Sequence, residues 1–278
     1  MKIGFFITAR LKSTRLKRKI LLDLNGKSVI DRVIERAKNI NNIDGVVLCT
    51  STNAQDSILY KNALSNQIEF YAGSEDDVLK RLLDAAKYFE YDAFVSITAD
   101  NPLFSMQTSQ LLVDLYKKNN FDFIFTKGLP MGCATNLIDV KSLEVVTFIK
   151  KEADTEIWGP FVNRSDFFNI CELVVSNSPF KEEKRITCDY PEDYNLFKKI
   201  YSHFDSNYIP DIKETLQVLT DNPKYWKTNE MHVQTMLSSD KINKINNQFD
   251  SMKNEAIKFA ESINKKLVPN KTIIPVEL

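Results

Sequence analysis

Short apolar runs alternate with helix-period segments through the first half of this chain. Runs of strand length occur at Ile3 to Thr8, Gly45 to Ser51, Ile68 to Tyr71, Phe94 to Thr98 and Phe121 to Thr126. Between them, Ser28 to Asn39, Ala54 to Ser65, Glu75 to Phe89 and Ser105 to Lys118 place apolar residues three and four apart, which is the period of a helix with one buried face. The alternation predicts an α/β fold, a mostly parallel sheet with helices on both faces. In such sheets ligands gather at the carboxyl ends of the strands.

Beyond Asn136 the pattern is mixed. Strands are expected at Phe168 to Val175 and Lys184 to Cys188, and a helix from Pro191 through Tyr201, where Pro191-Glu192-Asp193 supplies a first-turn proline and two acids for the helix dipole. From Asp240 onward, Ile242, Ile245, Phe249, Met252, Ala256, Phe259 and Ile263 form a narrow apolar stripe on a polar helix. It serves either as a helix docked on its own domain or as a subunit contact, so a homodimer stays open. We divide the 278 residues into a main domain, 1–230, and a C-terminal helical extension, 231–278.

Composition excludes several classes. The 37 Lys and Arg cancel the 37 Asp and Glu, so no global field draws the chain to nucleic acid or an anionic membrane, and any anion site must be local. No apolar segment is long enough to span a bilayer. The four cysteines, Cys49, Cys133, Cys171 and Cys188, form no Cys-x-x-Cys pair, and the first residues read as a strand rather than a signal sequence, which fits the cytoplasm. His203 and His232 are too few for a His-based metal site, leaving carboxylates as metal ligands.

Three segments carry chemistry. The first strand ends in Thr8-Ala9-Arg10-Leu11-Lys12-Ser13-Thr14-Arg15-Leu16-Lys17-Arg18-Lys19. Its cations Arg10, Arg15 and Lys19, with exposed backbone N–H groups between them, suit a polyanion such as a nucleoside triphosphate. In Ile97-Thr98-Ala99-Asp100-Asn101-Pro102-Leu103 a strand ends at an acid, at the sheet edge where the cationic loop sits; the plainer reading makes Asp100 a turn-former or helix cap. Arg185-Ile186-Thr187-Cys188-Asp189-Tyr190-Pro191 repeats the pattern of strand, acid, turn and helix. Asp100 and Asp189, brought near one triphosphate loop, form the oxygen-ligand set that a largely hydrated Mg²⁺ requires. Gly26-Lys27-Ser28 looks like the end of a phosphate-binding Walker loop, but Leu21 stands where that motif needs Gly, so Gly26 is expected to turn the chain and Ser28 to cap the next helix.

Read together, these segments resemble the cytidylyltransferases that activate acidic sugars: the acylneuraminate and 3-deoxy-manno-octulosonate enzymes, and especially their spore-coat polysaccharide type F relatives. The resemblance rests on Ala9-Arg10-x-x-Ser13-Thr14-Arg15-Leu16-x-x-Lys19, Leu24-x-Gly26-Lys27, Ile34-Glu35-Arg36, Gly73-Ser74-Glu75-Asp76-Asp77-Val78-Leu79-Lys80-Arg81, Thr98 to Leu103 and Asp189 to Asp193, and runs from Met1 to about Tyr201. It implies a Rossmann-like, glycosyltransferase-A-type nucleotidyl fold. The activity it implies is Mg²⁺-dependent transfer of CMP from CTP to a small anionic acceptor, with release of pyrophosphate, for surface glycan biosynthesis.

Carried over by position, Ala9, Arg10 and Ser13 meet the nucleotide, Arg15 and Lys19 the triphosphate, Ser74 the cytosine or ribose, and Asp100 and Asp189 the metal. Arg15, Lys19 and Asp100 are then the residues on which catalysis rests. The chain departs from that pattern at Lys17, where Pro is usual, and at Ala99, where Gly is usual. It departs further at Leu129 to Asn136 and Thr155 to Pro160, segments that line the acceptor side in the family. Lys127, Asn136, Glu156 and Trp158 are the acceptor-pocket candidates, or else simply hold their loops together. Two other readings stay open: a cytidylyltransferase for a non-sugar acceptor such as a phosphonate or polyol phosphate, and a non-catalytic nucleotide-binding scaffold.

Overall fold

In the computed structural model, which describes residues 1–278, the strands are β1 (Ile3–Thr8), β2 (Asp23–Leu24), β3 (Lys27–Ser28), β4 (Gly45–Ser51), β5 (Glu69–Gly73), β6 (Ala93–Thr98), β7 (Phe123–Lys127), β8 (Asn136–Asp139), β9 (Asn169–Val175) and β10 (Asn270–Val276). The helices are α1 (Val29–Lys38), α2 (Leu59–Asn66), α3 (Val78–Tyr88), α4 (Met106–Lys118), α5 (Val140–Ile149), α6 (Gly159–Val162), α7 (Pro191–Tyr201), α8 (Ile212–Asp221), α9 (Ser239–Ser251) and α10 (Lys253–Ser262). Eight strands form one sheet in the order β10-β9-β7-β8-β6-β1-β4-β5. Every neighbouring pair is parallel except those made by β8, which runs antiparallel between β6 and β7.

Because side chains alternate across a strand, β1 sends Ile3, Phe5 and Ile7 to one core and Phe6 to the other. The first core is closed by Val33 and Ile34 of α1 and Leu112 of α4, the second by Leu79 and Leu82 of α3 and Leu143 of α5. A third core, with Leu196, Phe197, Leu216 and Trp226, packs α7 and α8 against Leu103 and Ile186. The predicted strands and helices of the first half appear with small shifts in their ends. One shift matters: α3 begins at Val78 because the Asp77 side chain accepts from Lys80 N, which leaves Glu75 and Asp76 in the loop.

Asn25-Gly26 turns β2 into β3 with both residues at positive φ, as a two-residue hairpin requires, and Ser28 caps α1 by accepting from Asp31 N. The segment Lys184 to Cys188, expected as a strand, is instead an irregular run with one bridge from Arg185 to Met131. Its backbone is divided between partners: Met131 binds Lys184 O and Ile186 N, while Cys188 N donates to Asp100 O, so no continuous ladder forms.

The C-terminal stripe is broken at Met252 into α9 and α10. It is covered by its own domain: Ile245, Phe249, Ala256 and Ala260 are buried with Leu143, Phe161 and Phe167. Lys265, just beyond α10, reaches the carboxylates of Asp122 and, at 2.9 Å, Asp139. The chain then adds a strand that the sequence did not announce, β10, which pairs along all of β9. Its Lys271 Nζ lies 2.7 Å from Glu172 Oε2 on β9.

Candidate active site

The carboxyl ends of β1, β5, β6 and β7 and the start of the antiparallel β8 share one edge of the sheet. Ala9 and Arg10, Ser74, Asp100, Lys127 and Asn136 therefore emerge on the same side. The Asp189 segment is fastened there by the Cys188 N to Asp100 O bond of 2.9 Å. Gly132 permits the fit: its φ is +90°, and a Cβ would sit 2.1 Å from Ile186 O, so only glycine lets these two loops touch.

The two acids meet at Lys19. A 3-10 turn, Lys19–Leu21, entered through Arg18 at a positive φ of 51°, turns the lysine inward. Its Nζ donates to Asp100 Oδ2 and, at 2.7 Å, to Asp189 Oδ1. Side-chain exposure is only 11% for Lys19, 17% for Asp100 and 11% for Asp189. Burial by itself would lower the Lys19 pKa, but the attraction of Asp100 and Asp189 outweighs it and the ammonium is held above its ordinary value. Burial likewise pushes Asp189 up, and the charges of Lys19 and Arg15 with hydrogen bonds from Lys19 and Arg185 bring it below its ordinary value.

Arg15 completes this side. Its Nη2 lies 3.2 Å from Asp189 Oδ1, its Nη1 donates to Tyr190 Oη at 3.2 Å, and its guanidinium sits 4.8 Å from the centre of the Tyr190 ring. The hydrogen bond to Tyr190 is the main reason its pKa is raised. Its side chain is 44% exposed. Arg10 lies across the loop, donating to Glu75 O at 2.9 Å and pairing with Glu156 Oε1 at 2.9 Å. Lys12 pairs with Glu75 at 3.0 Å.

The other expected residues take varied positions. Ala9 is buried, its N–H donating to Cys49 O and its carbonyl accepting from Thr50, so it fixes where the loop leaves the sheet. Ser13 Oγ accepts from Leu16 N within the loop. Ser74 is exposed at the end of β5 and accepts from Asp77 N. Ala99 is not among the residues at positive φ, so a side chain costs nothing there. Lys127 pairs with Glu172 at 2.9 Å, Asn136 opens β8 opposite Ser96 and Phe125, and Trp158 packs edge-on against Phe123 at 6.3 Å. Only Glu156 of these four touches the cationic loop.

A further layer went unread in the sequence. Arg185, buried, donates to Asp189 Oδ2 at 3.1 Å and Asp193 Oδ2 at 3.2 Å. Fully buried Asp193 also accepts from the backbone N–H groups of Asp189 and Tyr190, each at 3.0 Å, and from Asn229 at 2.8 Å. Little in the sequence marks this layer, since it depends on contacts such as that of Asn229 with Asp193, 36 residues apart.

A mostly parallel sheet that gathers a cationic loop and two facing carboxylates along one edge fits a nucleotidyltransferase. Residues 5–222 match the family model described as Cytidylyltransferase, and the chain belongs to that family. It is 31% identical over 226 residues to the uncharacterized protein MJ1063 of Methanocaldococcus jannaschii, covering 81% of this chain and 93% of that one. It is 22% identical to the spore coat polysaccharide biosynthesis protein SpsF of Bacillus subtilis, covering 80% and 95%. Among solved structures, a cytidylyltransferase from Leptospira borgpetersenii superposes with a TM-score of 0.74 at 26% identity, over 86% of this chain and 100% of that one.

Proposed function

We propose that this cytidylyltransferase transfers CMP from CTP to a small anionic acceptor, an acidic sugar or a phosphorylated compound, with Mg²⁺ and release of pyrophosphate, in surface glycan biosynthesis. The observation that carries the reading is the convergence of Asp100 and Asp189 on one cation, the Lys19 ammonium. Two hard carboxylate oxygens aimed at one positive centre fit Mg²⁺, which takes few protein ligands and completes its shell with water and phosphate oxygens; the site offers these two carboxylates and no third His, Cys, Asp or Glu ligand. When bound, Mg²⁺ would neutralise charge on the triphosphate and polarise the α-phosphorus. The role in glycan biosynthesis draws on the likeness to SpsF.

The residues then divide the work. Asp100 and Asp189 hold the metal. Lys19, permanently charged because its pKa is raised, cannot act as a base near neutral pH; it and Arg15 grip the triphosphate and stabilise the departing pyrophosphate. Arg10, Ser13 and the foot of the loop at Ala9 seat the nucleotide, and Ser74 faces its cytosine or ribose. Lys127, Asn136, Glu156 and Trp158 belong to the acceptor side. We assign this chemistry to residues 1–230, with 231–278 as a supporting extension. No helix is long and apolar enough to cross a membrane, and we place the reaction in the cytoplasm.

The test is pyrophosphate release with each of the four nucleoside triphosphates, in Mg²⁺, over a panel of sugar acids, sugar phosphates, polyol phosphates and phosphonates. CTP-selective release supports the reading. Inactivity with CTP, or a preference for GTP or UTP, counts against it.

A further inference from the structure

We infer that His232 is a positioning residue for the triphosphate grip, acting on Arg15 through the ring of Tyr190, and that it does so as part of a brace formed by residues 229–234. These residues lie beyond residues 5–222, the span that matches the family model. They follow a 3-10 turn, Pro223–Thr228, and contain no helix or strand. Yet they return to the site at three points. Asn229 Nδ2 donates to Asp193 Oδ1 at 2.8 Å and to Arg185 O at 3.2 Å. Gln234 Oε1 accepts from Arg185 Nη1 at 2.6 Å. The His232 ring stacks on Tyr190 with centroids 3.7 Å apart and planes 3° from parallel, while its Nε2 lies 3.0 Å from Glu192 Oε2.

The direction of these contacts separates a brace from an ordinary surface segment. A segment held by hydrophobic burial turns its apolar side chains inward. Here Met231 and Val233 are 62% and 83% exposed, while the polar side chains of Asn229, His232 and Gln234 make the contacts to the protein. All three bind groups that in turn hold Asp189 or Arg15. Tyr190 is the joint: one ring receives the imidazole stack and the Arg15 guanidinium, and its hydroxyl accepts from Arg15 Nη1. A flat partner on that ring limits its rotation, and so limits the positions open to the arginine.

The inference rests on the proposal that Arg15 binds phosphate, so the experiment titrates both CTP and inorganic pyrophosphate in Mg²⁺ by calorimetry. Full-length wild type is compared with H232A, H232F, Y190F and the double variant H232A/Y190F. We expect H232A to weaken both ligands about tenfold, as loss of a preorganised contact does, and H232F, which keeps the flat ring, to stay within about twofold. In the Y190F background, where Arg15 has already lost its hydroxyl partner, H232A should add little, because residues acting in series do not add. Steady-state kinetics should show KM for the nucleotide raised more than kcat is lowered.

Wild-type affinity in H232A, or full additivity with Y190F, overturns the inference. Should H232A fail to fold, H232L takes its place, keeping bulk without a flat ring, and wild-type binding by that variant overturns it equally. A wild type that binds pyrophosphate but not CTP sinks the cytidine assignment alone and leaves the variant comparison in force. Binding of neither ligand overturns both.

Discussion

Lys19 Nζ lies 2.7 Å from Asp189 Oδ1 although 170 residues separate them in the chain. With Asp100 on its other side, the lysine neutralises two carboxylates, one buried and one partly buried, that would otherwise repel each other. Lys19→Met should therefore affect stability as well as activity. Breaking a buried ion pair from one side costs about 3–5 kcal/mol, and, on the proposed role of Lys19 as a triphosphate cation, transfer should fall about 10²- to 10³-fold. The distinguishing result is the metal response: Mg²⁺ should raise the melting temperature of the variant more than that of wild type, since it replaces the missing charge. Equal shifts in the two proteins would contradict this.

Asp189 makes acid stability depend on the site. Its folded pKa is lowered below the ordinary 3.8, so beneath that value the unfolded chain binds more protons than the native one, and stability falls with pH. The contribution is complete above the unfolded value and is lost as pH drops through the folded one. Urea unfolding between about pH 2.5 and 6 should show a shallower acid decline in D189N than in wild type. Parallel curves would remove Asp189 as a contributor.

A second lysine repeats the arrangement at the far end of the sheet. Lys265 serves Asp122 Oδ1 and Asp139 Oδ1; Ser142 shares the Asp122 oxygen, and the two remaining oxygens accept from Tyr116 and the backbone N–H of Asn169. Burial would lower the lysine, but the two acids hold it above its ordinary value. Lys265→Met should destabilise the fold by about 3–5 kcal/mol at neutral pH and leave kcat near wild type at a temperature where the variant is folded. Chemical denaturation paired with a rate assay measures both.

Gly132 should tolerate no side chain. Alanine there would bring Cβ within 2.1 Å of Ile186 O at a φ of +90°, and the strained backbone alone costs about 1–3 kcal/mol. Because Ile186 leads directly to Cys188 and Asp189, G132A should lower the melting temperature and the Mg²⁺ dependence of nucleotide binding together. A variant that melts lower with intact binding would show that the two loops move independently.

The sheet was legible because its parallel strands are buried on both faces and read as unbroken apolar runs. β8 was hidden by its length, four residues. β10 was hidden by its place after a helical tail and by Pro275, although Thr272, Ile273, Ile274 and Val276 carry strand propensity. Asp100 and Asp189 could be picked out as candidates because each stands just before a proline-bearing turn, a local signal. Their meeting at Lys19 could not, since it depends on the Gly132 loop and on a single backbone bond from Cys188. Arg185, Asp193, Asn229 and His232 act through other residues, and such contacts leave no spacing to read.

Strand β10 pairs with β9 across about a hundred residues of intervening chain, with Asn270 meeting Asn169. During synthesis β9 is therefore made long before its outer neighbour exists. Until the tail folds back, the nascent sheet presents a bare, aggregation-prone flank, and Glu172 must make do with Lys127 alone. Truncation ahead of residue 270 would make that transient condition permanent.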